Sequence, residues 1–319
     1  MRLRLTVLAG GVGAARFLSG LVEAAPTADI TVIGNTADDF EVHGLHVSPD
    51  LDSVAYTLSG QADQVRGWGL AEETWTTLTR LGQLGGETWF QLGDLDLATH
   101  LRRTELLRAG LGLTAATAEL CRRLGVPVRL LPMTDDEVTS RVHTQDGRDL
   151  HLQEYLVREG ARPPIREVEV RGASRAMTPR GVLEAIAAAD AVLIAPSNPV
   201  ISIGPILSLP GVEQAVRAHP LVAAVSPIVA GRAIKGPAVE MMRAQGWPPS
   251  ALGVALAYRG LVDLMVVDAA DQELAGEFAE LGMRVHFCPT LMADQGARRR
   301  LAQEVLSALG LTEKAGAGS

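Results

Sequence analysis

Two stretches of the chain carry groups suited to phosphate chemistry. The first, "GGVGAARFLSGL", sets Gly10, Gly11 and Gly13 directly after an apolar run. Glycines at a strand-to-helix turn let the backbone approach an anion, and the helix N-terminus offers unpaired N–H groups with partial positive charge. For this stretch alone, a tight turn without a ligand is the plain alternative. No Gly-Lys-Ser/Thr follows, which excludes a Walker A loop, and Arg16 stands where a dinucleotide fingerprint wants Gly or Ala.

The second stretch, "GNTADDFEVHGLHVSPDLDS", holds Asp38 and Asp39 side by side and Asp50 and Asp52 two apart, behind a Ser48-Pro49 helix entry. Hard oxygen ligands of this kind suit magnesium, which takes one or two carboxylates, keeps several waters and accepts phosphate oxygens. Asp50 alone could simply stabilise a helix N-terminus, worth about 0.5 to 1 kcal/mol. Four acids beside a glycine loop point instead to a metal and phosphate site. His43 and His46 are spaced i, i+3 without a third nitrogen or sulfur ligand nearby, so zinc is not expected.

These groups need elements to position them. Apolar and β-branched runs predict core strands at 3–9, 29–34, 128–132, 191–196, 221–226, 264–268 and 284–288. Helical patterns lie between them, at 14–23, 51–58, 74–84, 95–109, 114–124, 180–189, 211–218, 238–245, 272–281 and 293–309, with stop glycines such as Gly110 and Gly125. This alternation implies an α/β, Rossmann-like, doubly wound and mostly parallel sheet. Between 136 and 172 the rhythm turns to alternating residues around an Asp146-Gly147 turn. We read 1–135 and 173–311 as the nucleotide-binding core, 136–172 as an inserted antiparallel subdomain, and 312–319 as a disordered tail.

Composition limits the remaining classes. With 47% hydrophobic residues and a mean hydropathy of +0.16, 319 residues can bury a large core. A net charge of −8 argues against a nucleic-acid binder. Two cysteines, Cys121 and Cys288, are too few for a disulfide framework and read as reduced core thiols. The first apolar stretch is too short for a secretory h-region and no run is long enough to span a bilayer, so a cytoplasmic protein without membrane contact is expected.

Long ordered blocks, "GGVGAARFLSGL", "GNTADDFEVHGLHVSPDLDSVAYTL", "WFQLGDLDLATHLRRTELLRAGLGLTAATAELCRRLG", "LLPMTDDEVTSRV", "APSNPVISIGPILSLPGV" and "SPIVAGRAIKGPA", resemble the phospholactate (or phosphoenolpyruvate) transferase family of deazaflavin coenzyme biosynthesis. The resemblance implies a magnesium-dependent, dimeric enzyme. Its donor is a guanosine diphosphate joined to lactate or enolpyruvate, its acceptor the ribityl hydroxyl of a deazaflavin, and GMP is released. Carried over, Gly10, Gly11 and Gly13 would cradle the diphosphate, and Asp38 and Asp50, with Asp52 third, would hold magnesium. Asn35 and His43 would orient the acceptor hydroxyl or a phosphate oxygen. Asp94, Asp96, His100 and Arg103 would face the cleft, the last two one helical turn apart. Ser197 and Asn198, at a strand end, could read base or ribose, Lys235 could meet a phosphate, and Trp89 could stack on the deazaflavin or serve the core.

Two rivals share part of the pattern. Nucleotide-sugar-binding regulators of the gluconeogenesis-factor type also carry a glycine loop and an "ADD" block, but continue with a glycine- and serine-rich stretch where this chain has "FEVHGLHVSPDLDS". A nicotinamide-dependent oxidoreductase would use Asp38 for ribose, and Arg16 counts against it.

Overall fold

The strand Arg4–Ala9 is buried at every position after Arg4, and Ala191–Ile194 throughout, as in strands covered on both faces. The computed structural model describes residues 2–233 and 237–311; Lys235 and the tail at 312–319 lie outside the described residues. In chain order the elements are β1 (Arg4–Ala9), α1 (Gly11–Ala24), β2 (Asp29–Gly34), β3 (Phe40–Val42), β4 (Leu45–Val47), α2 (Pro49–Leu58), α3 (Thr76–Gln83), α4 (Asp94–Arg108), α5 (Leu113–Leu124) and β5 (Arg129–Pro132). An antiparallel group follows, β6 (Thr139–Thr144), β7 (Asp149–His151) and β8 (Ile165–Arg171). The second half runs α6 (Arg180–Ala188), β9 (Ala191–Ile194), α7 (Gly204–Leu207), α8 (Val212–Ala218), β10 (Val222–Val225), β11 (Ile228–Val229), β12 (Arg232–Ala233), α9 (Ala238–Ala244), α10 (Ala251–Ala257), β13 (Leu264–Asp268), α11 (Ala275–Glu280), β14 (Arg284–Cys288) and α12 (Gln295–Ala308).

All seven expected core strands join one parallel sheet in the order β14-β13-β10-β9-β1-β2-β5. Alternate residues serve opposite cores: Leu8, Ile33 and Ile194 on one face, Val7, Val32 and Leu193 on the other. From β1 the chain winds outward through β2 to β5; from β9 it winds the other way, through β10 and β13 to β14. The boundary between β1 and β9 is therefore the switch point of the sheet, where the loops after the strands diverge and open a crevice. No described helix is long and apolar enough to cross a membrane.

The antiparallel expectation also holds, with β6 paired to β7 and β8. Gly147, at φ +88°, makes the turn after β6. This sheet packs through Val142, Leu152 and Tyr155 against Val200, Ile201 and Met241, which lays the segment after β7 along the β9 loop.

The structure differs from the sequence reading in several places, the short β11–β12 hairpin and α7 among them. The periodicity at 40–47 makes an unforeseen hairpin, β3 and β4, whose turn residues His43 and Gly44 both have positive φ, 52° and 72°. The helix expected over 272–281 is a 3-10 turn at Ala269–Leu274 followed by α11, because Asp268 accepts from the Ala270 N–H and winds the chain tightly there. The run at 251–257 forms α10, capped by Ser250, where the sequence reading placed no helix.

Candidate active site

At the switch point the glycine turn meets the acids. Gly11 takes φ +72° as the chain leaves β1, and the Gly10 N–H donates to Ser197 Oγ, 3.4 Å away, at the end of β9. A Cβ on Gly10 would lie 2.6 Å from Asp50 Oδ2 and 2.6 Å from Ser202 Cβ, and one on Gly13 would lie 2.4 Å from the Pro196 carbonyl oxygen. These glycines thus permit close approach of α1 to α2 and to the β9 loop as well as a sharp turn.

Asn35, fully buried just past β2, organises the carboxylates. Its Nδ2 donates to Asp50 Oδ2 at 2.9 Å, lies 3.4 Å from Asp38 Oδ1 and 3.3 Å from the Ile201 carbonyl, while its Oδ1 accepts from the Ala37 N–H. Gln153, reaching over from beyond β7, donates to Asp38 Oδ2 at 3.0 Å. Burial, then the charges of Asp50 and Asp39, push the Asp38 carboxyl well above its usual range. Burial likewise pushes Asp50 up to about 7, against the pull of the Asn35 amide and the Gly11 main chain. Two buried carboxylates that share one amide donor, with the charge of Asp50 raising Asp38 and that of Asp39 raising Asp50, form a site short of positive charge. That donor set fits a hard divalent cation with Asp38 and Asp50 as ligands, one or two carboxylates being what magnesium takes from a protein. Among the described residues no group of three His, Cys, Asp or Glu side chains converges as a metal set.

The other two acids point elsewhere. Asp39 accepts from Ser48 Oγ at 2.7 Å and lies 3.0 Å from His46 Nε2. Asp52, expected as a third magnesium ligand, is instead gripped by both terminal nitrogens of Arg103, one of them at 3.0 Å. Positions 50 and 52 are two apart on α2 and so face different directions. Burial alone would lower the Arg103 pKa, but Asp52 outweighs it and holds it above the ordinary value. His100 lies with its Nε2 3.1 Å from Asp96 Oδ1, which also accepts from Tyr56 OH at 2.7 Å. Asp96 and His100 line the cleft; Arg103 lies behind them.

The cleft has a volume of about 1160 Å³, at the upper end of ligand pockets and large enough for two substrates. Its polar lining includes the glycine turn, Asp38, Asp50, Ser197 and Asn198, and its apolar lining Trp68, Phe90, Leu152 and Leu156. Asn198 also accepts from the Val200 N–H and so shapes its own loop. Five expected residues stand outside the lining, Asn35 and Arg103 as described above and three more. His43 occupies the β3–β4 turn, exposed. Asp94 joins α3 to α4 by accepting from the Thr76 and Thr77 N–H groups, and hydrogen bonds from Thr74 and Thr77 hold its carboxyl far below the usual range. Trp89 is covered by the Arg158 guanidinium, 4.6 Å from the ring centroid, while its neighbour Phe90 faces the cleft. Lys235 lies outside the described residues.

Gln153, Ser202, Trp68 and Phe90 were not singled out from the sequence as cleft residues. Gln153 carries no local signal, because its role depends on how the antiparallel sheet docks. Trp68 and Phe90 had one usable cue, the scarcity of aromatic residues, at 4% of the chain.

A family model described as 2-phospho-L-lactate transferase CofD matches residues 5–292. The chain is 45% identical over 311 residues to a phosphoenolpyruvate transferase of Streptomyces coelicolor, covering 96% of this chain and 98% of that protein. It is 40% identical over 302 residues to a 2-phospho-L-lactate transferase of Methanosarcina acetivorans, covering 95% and 98%. Among solved structures it is similar in fold to protein BH3568 from Bacillus halodurans, with TM-score 0.65 and 18% identity over 96% of this chain and 100% of that one. A second structure from that organism, described as a member of the UPF0052 family, gives TM-score 0.62 at 19% identity, over 97% of this chain and 99% of that one.

Proposed function

Because the chain belongs to the 2-phospho-L-lactate transferase CofD family, we propose that it moves a three-carbon phosphate from a guanosine diphosphate-activated donor to the ribityl hydroxyl of a deazaflavin and releases GMP. The observation that carries the reading is the contact of the glycine turn with Asp50, whose Oδ2 lies 2.6 Å from where a Gly10 Cβ would be. Main-chain amides there suit an anion and the Asp38 and Asp50 carboxylates suit a cation, so the two together fit a polyanion bound with a divalent ion. Relatives named phosphoenolpyruvate transferase reach 46% identity against 40% for those named 2-phospho-L-lactate transferase, which favours enolpyruvate as the three-carbon unit.

In this reading the amides of the Gly10–Gly13 turn receive the donor diphosphate, and Asp38 and Asp50 would hold magnesium. That ion, when bound, supplies positive charge against the charge developing on departing GMP. Asn35 keeps the two carboxylates at fixed separation, and Gln153 orients Asp38. The apolar lining, with Trp68 and Phe90, accepts the flat deazaflavin and excludes water from the phosphorus. One phosphorus–oxygen bond breaks as another forms, so the work of the protein is alignment and charge stabilisation.

The test is incubation with a ribityl deazaflavin, magnesium and either activated donor, with GMP release as readout. Faster release from the enolpyruvyl donor is expected. No GMP from either donor, together with tight nucleotide-sugar binding, would favour the regulator instead.

A further inference from the structure

Arg298, on α12, is 7% exposed, yet among the described residues its guanidinium has no acid partner. Nη1 donates to Gln295 Oε1 at 3.2 Å and Nη2 to Gln64 Oε1 at 3.0 Å, both neutral amides, and Nε has no partner at all. Burial and then the charge of Arg16 hold its pKa below the arginine range. The acids whose fields offset this, Asp294 and Glu23, are occupied elsewhere: Asp294 caps α12 at the Ala297 N–H, and Glu23 accepts from Gln295. Arg16, half-buried on α1, has no ion pair among the described residues. The pair is held close because Gly20 lets α1 approach α12; a Cβ there would lie 2.2 Å from the Arg298 carbonyl oxygen.

Two like charges, one deeply buried and neither compensated, are costly unless an anion joins them. Both arginines line a recess of about 20 Å³ that opens into the cleft at Val12, Ser53, Tyr56 and Trp68. Asp63 also borders it, but its oxygens already accept from the Val65 and Arg66 N–H groups and from Arg66 Nη2. The recess admits about one water-sized group, enough for one oxygen of a carboxylate whose other oxygen stays in the cleft, and too small for a phosphate. It continues the α1–α2 groove that begins at Gly10 and Asp50. Ser53 is one turn beyond Asp50, about 4.5 Å along the helix, so a group joined directly to a phosphate at the glycine turn points toward it.

We propose that Arg16 and Arg298 form a carboxylate subsite that receives the acid group of the donor's three-carbon unit; this rests on the transferase reading above. Planar guanidinium forks match a carboxylate, and the donor's acid is attached through its ester oxygen to the phosphate that the glycine turn would hold. The other source of anionic oxygen in such a reaction is the deazaflavin ring, and the test separates the two.

Wild type, Arg16→Gln and Arg16→Lys are titrated by calorimetry, with magnesium, against GDP, the activated donor and the deazaflavin separately. The expected result is a loss of about tenfold or more in donor affinity for Arg16→Gln, unchanged GDP affinity, and partial retention in Arg16→Lys. Equal loss for GDP, loss confined to the deazaflavin, or no loss overturns the subsite. Removing one of two like charges should leave the melting temperature of Arg16→Gln equal to or above wild type, so a selective loss cannot come from unfolding. Arg298→Gln, where folded, should show the same selectivity. Because these titrations need no turnover, absent GMP release would overturn the transferase reading while the comparison still decides the subsite.

Discussion

The Asn35 amide donates to the Asp50 carboxylate over 2.9 Å and ties the end of β2 to the first turn of α2. Asp50 is thereby fixed against the glycine turn, with Asp38 on the far side of the same nitrogen. A cation between these acids would offset their negative charge.

Magnesium should therefore stabilise the folded chain. Added in excess to chelator-treated protein, it should raise the melting temperature by roughly 2–8 °C. Asp50→Asn should abolish both that rise and turnover, yet melt close to wild type without metal. Gln153→Leu, which strips Asp38 of one donor, should shift the response to higher magnesium concentration. A thermal-shift titration checks all three, and an unchanged response in Asp50→Asn would remove it from the ligand set.

The same acids predict a pH dependence in metal-free protein. Burial raises Asp50 from 3.8 to about 7 and raises Asp38 as well, so the folded state holds protons that the unfolded chain releases. That stability is fully present below about pH 4 and is lost as pH rises through about 7. Denaturant midpoints measured from pH 5 to 8 should fall in wild type and fall less in Asp50→Asn. Superimposable profiles would show that Asp50 titrates normally.

Asp52 and Arg103 should behave as a structural pair. Arg103→Met strands a buried carboxylate, and Asp52→Asn strands a buried guanidinium, so each should cost about 3–5 kcal/mol in urea unfolding. Replacing both with apolar residues of similar volume should cost less than either alone. Additive losses would mean that the two do not interact.

Gly10 and Gly13 should fail differently. A Cβ at Gly13 meets a main-chain oxygen, Pro196 O, which cannot move without the β9 loop, so Gly13→Ala should destabilise by about 1–3 kcal/mol. A Cβ at Gly10 meets the Asp50 carboxylate and the Ser202 side chain, which can rotate. Gly10→Ala should therefore lose most of its magnesium response for a smaller stability loss. Paired unfolding and thermal-shift curves distinguish the two.

Local patterns in the chain were enough to place seven strands, the glycine turn after β1 and the acids after β2, because strand burial, helix period and turn chemistry are each written within a few residues. They were also enough to bring Gly10, Asn35, Asp38 and Asp50 to one edge of the sheet, since parallel strands deliver their following loops to the same side. They did not separate Asp50 from Asp52. On a helix, positions two apart face in widely different directions, and which one meets the glycines depends on the rotation of α2. That rotation is set by Leu51, Val54 and Ala55 packing into the core. Gln153 joins Asp38 across 115 residues, and Arg298 comes from the far end of the chain to line one recess with Arg16. Contacts of that kind exist only once sheet, insertion and terminal helix have docked, so tertiary packing alone decided which charges are paired and which are left to bind.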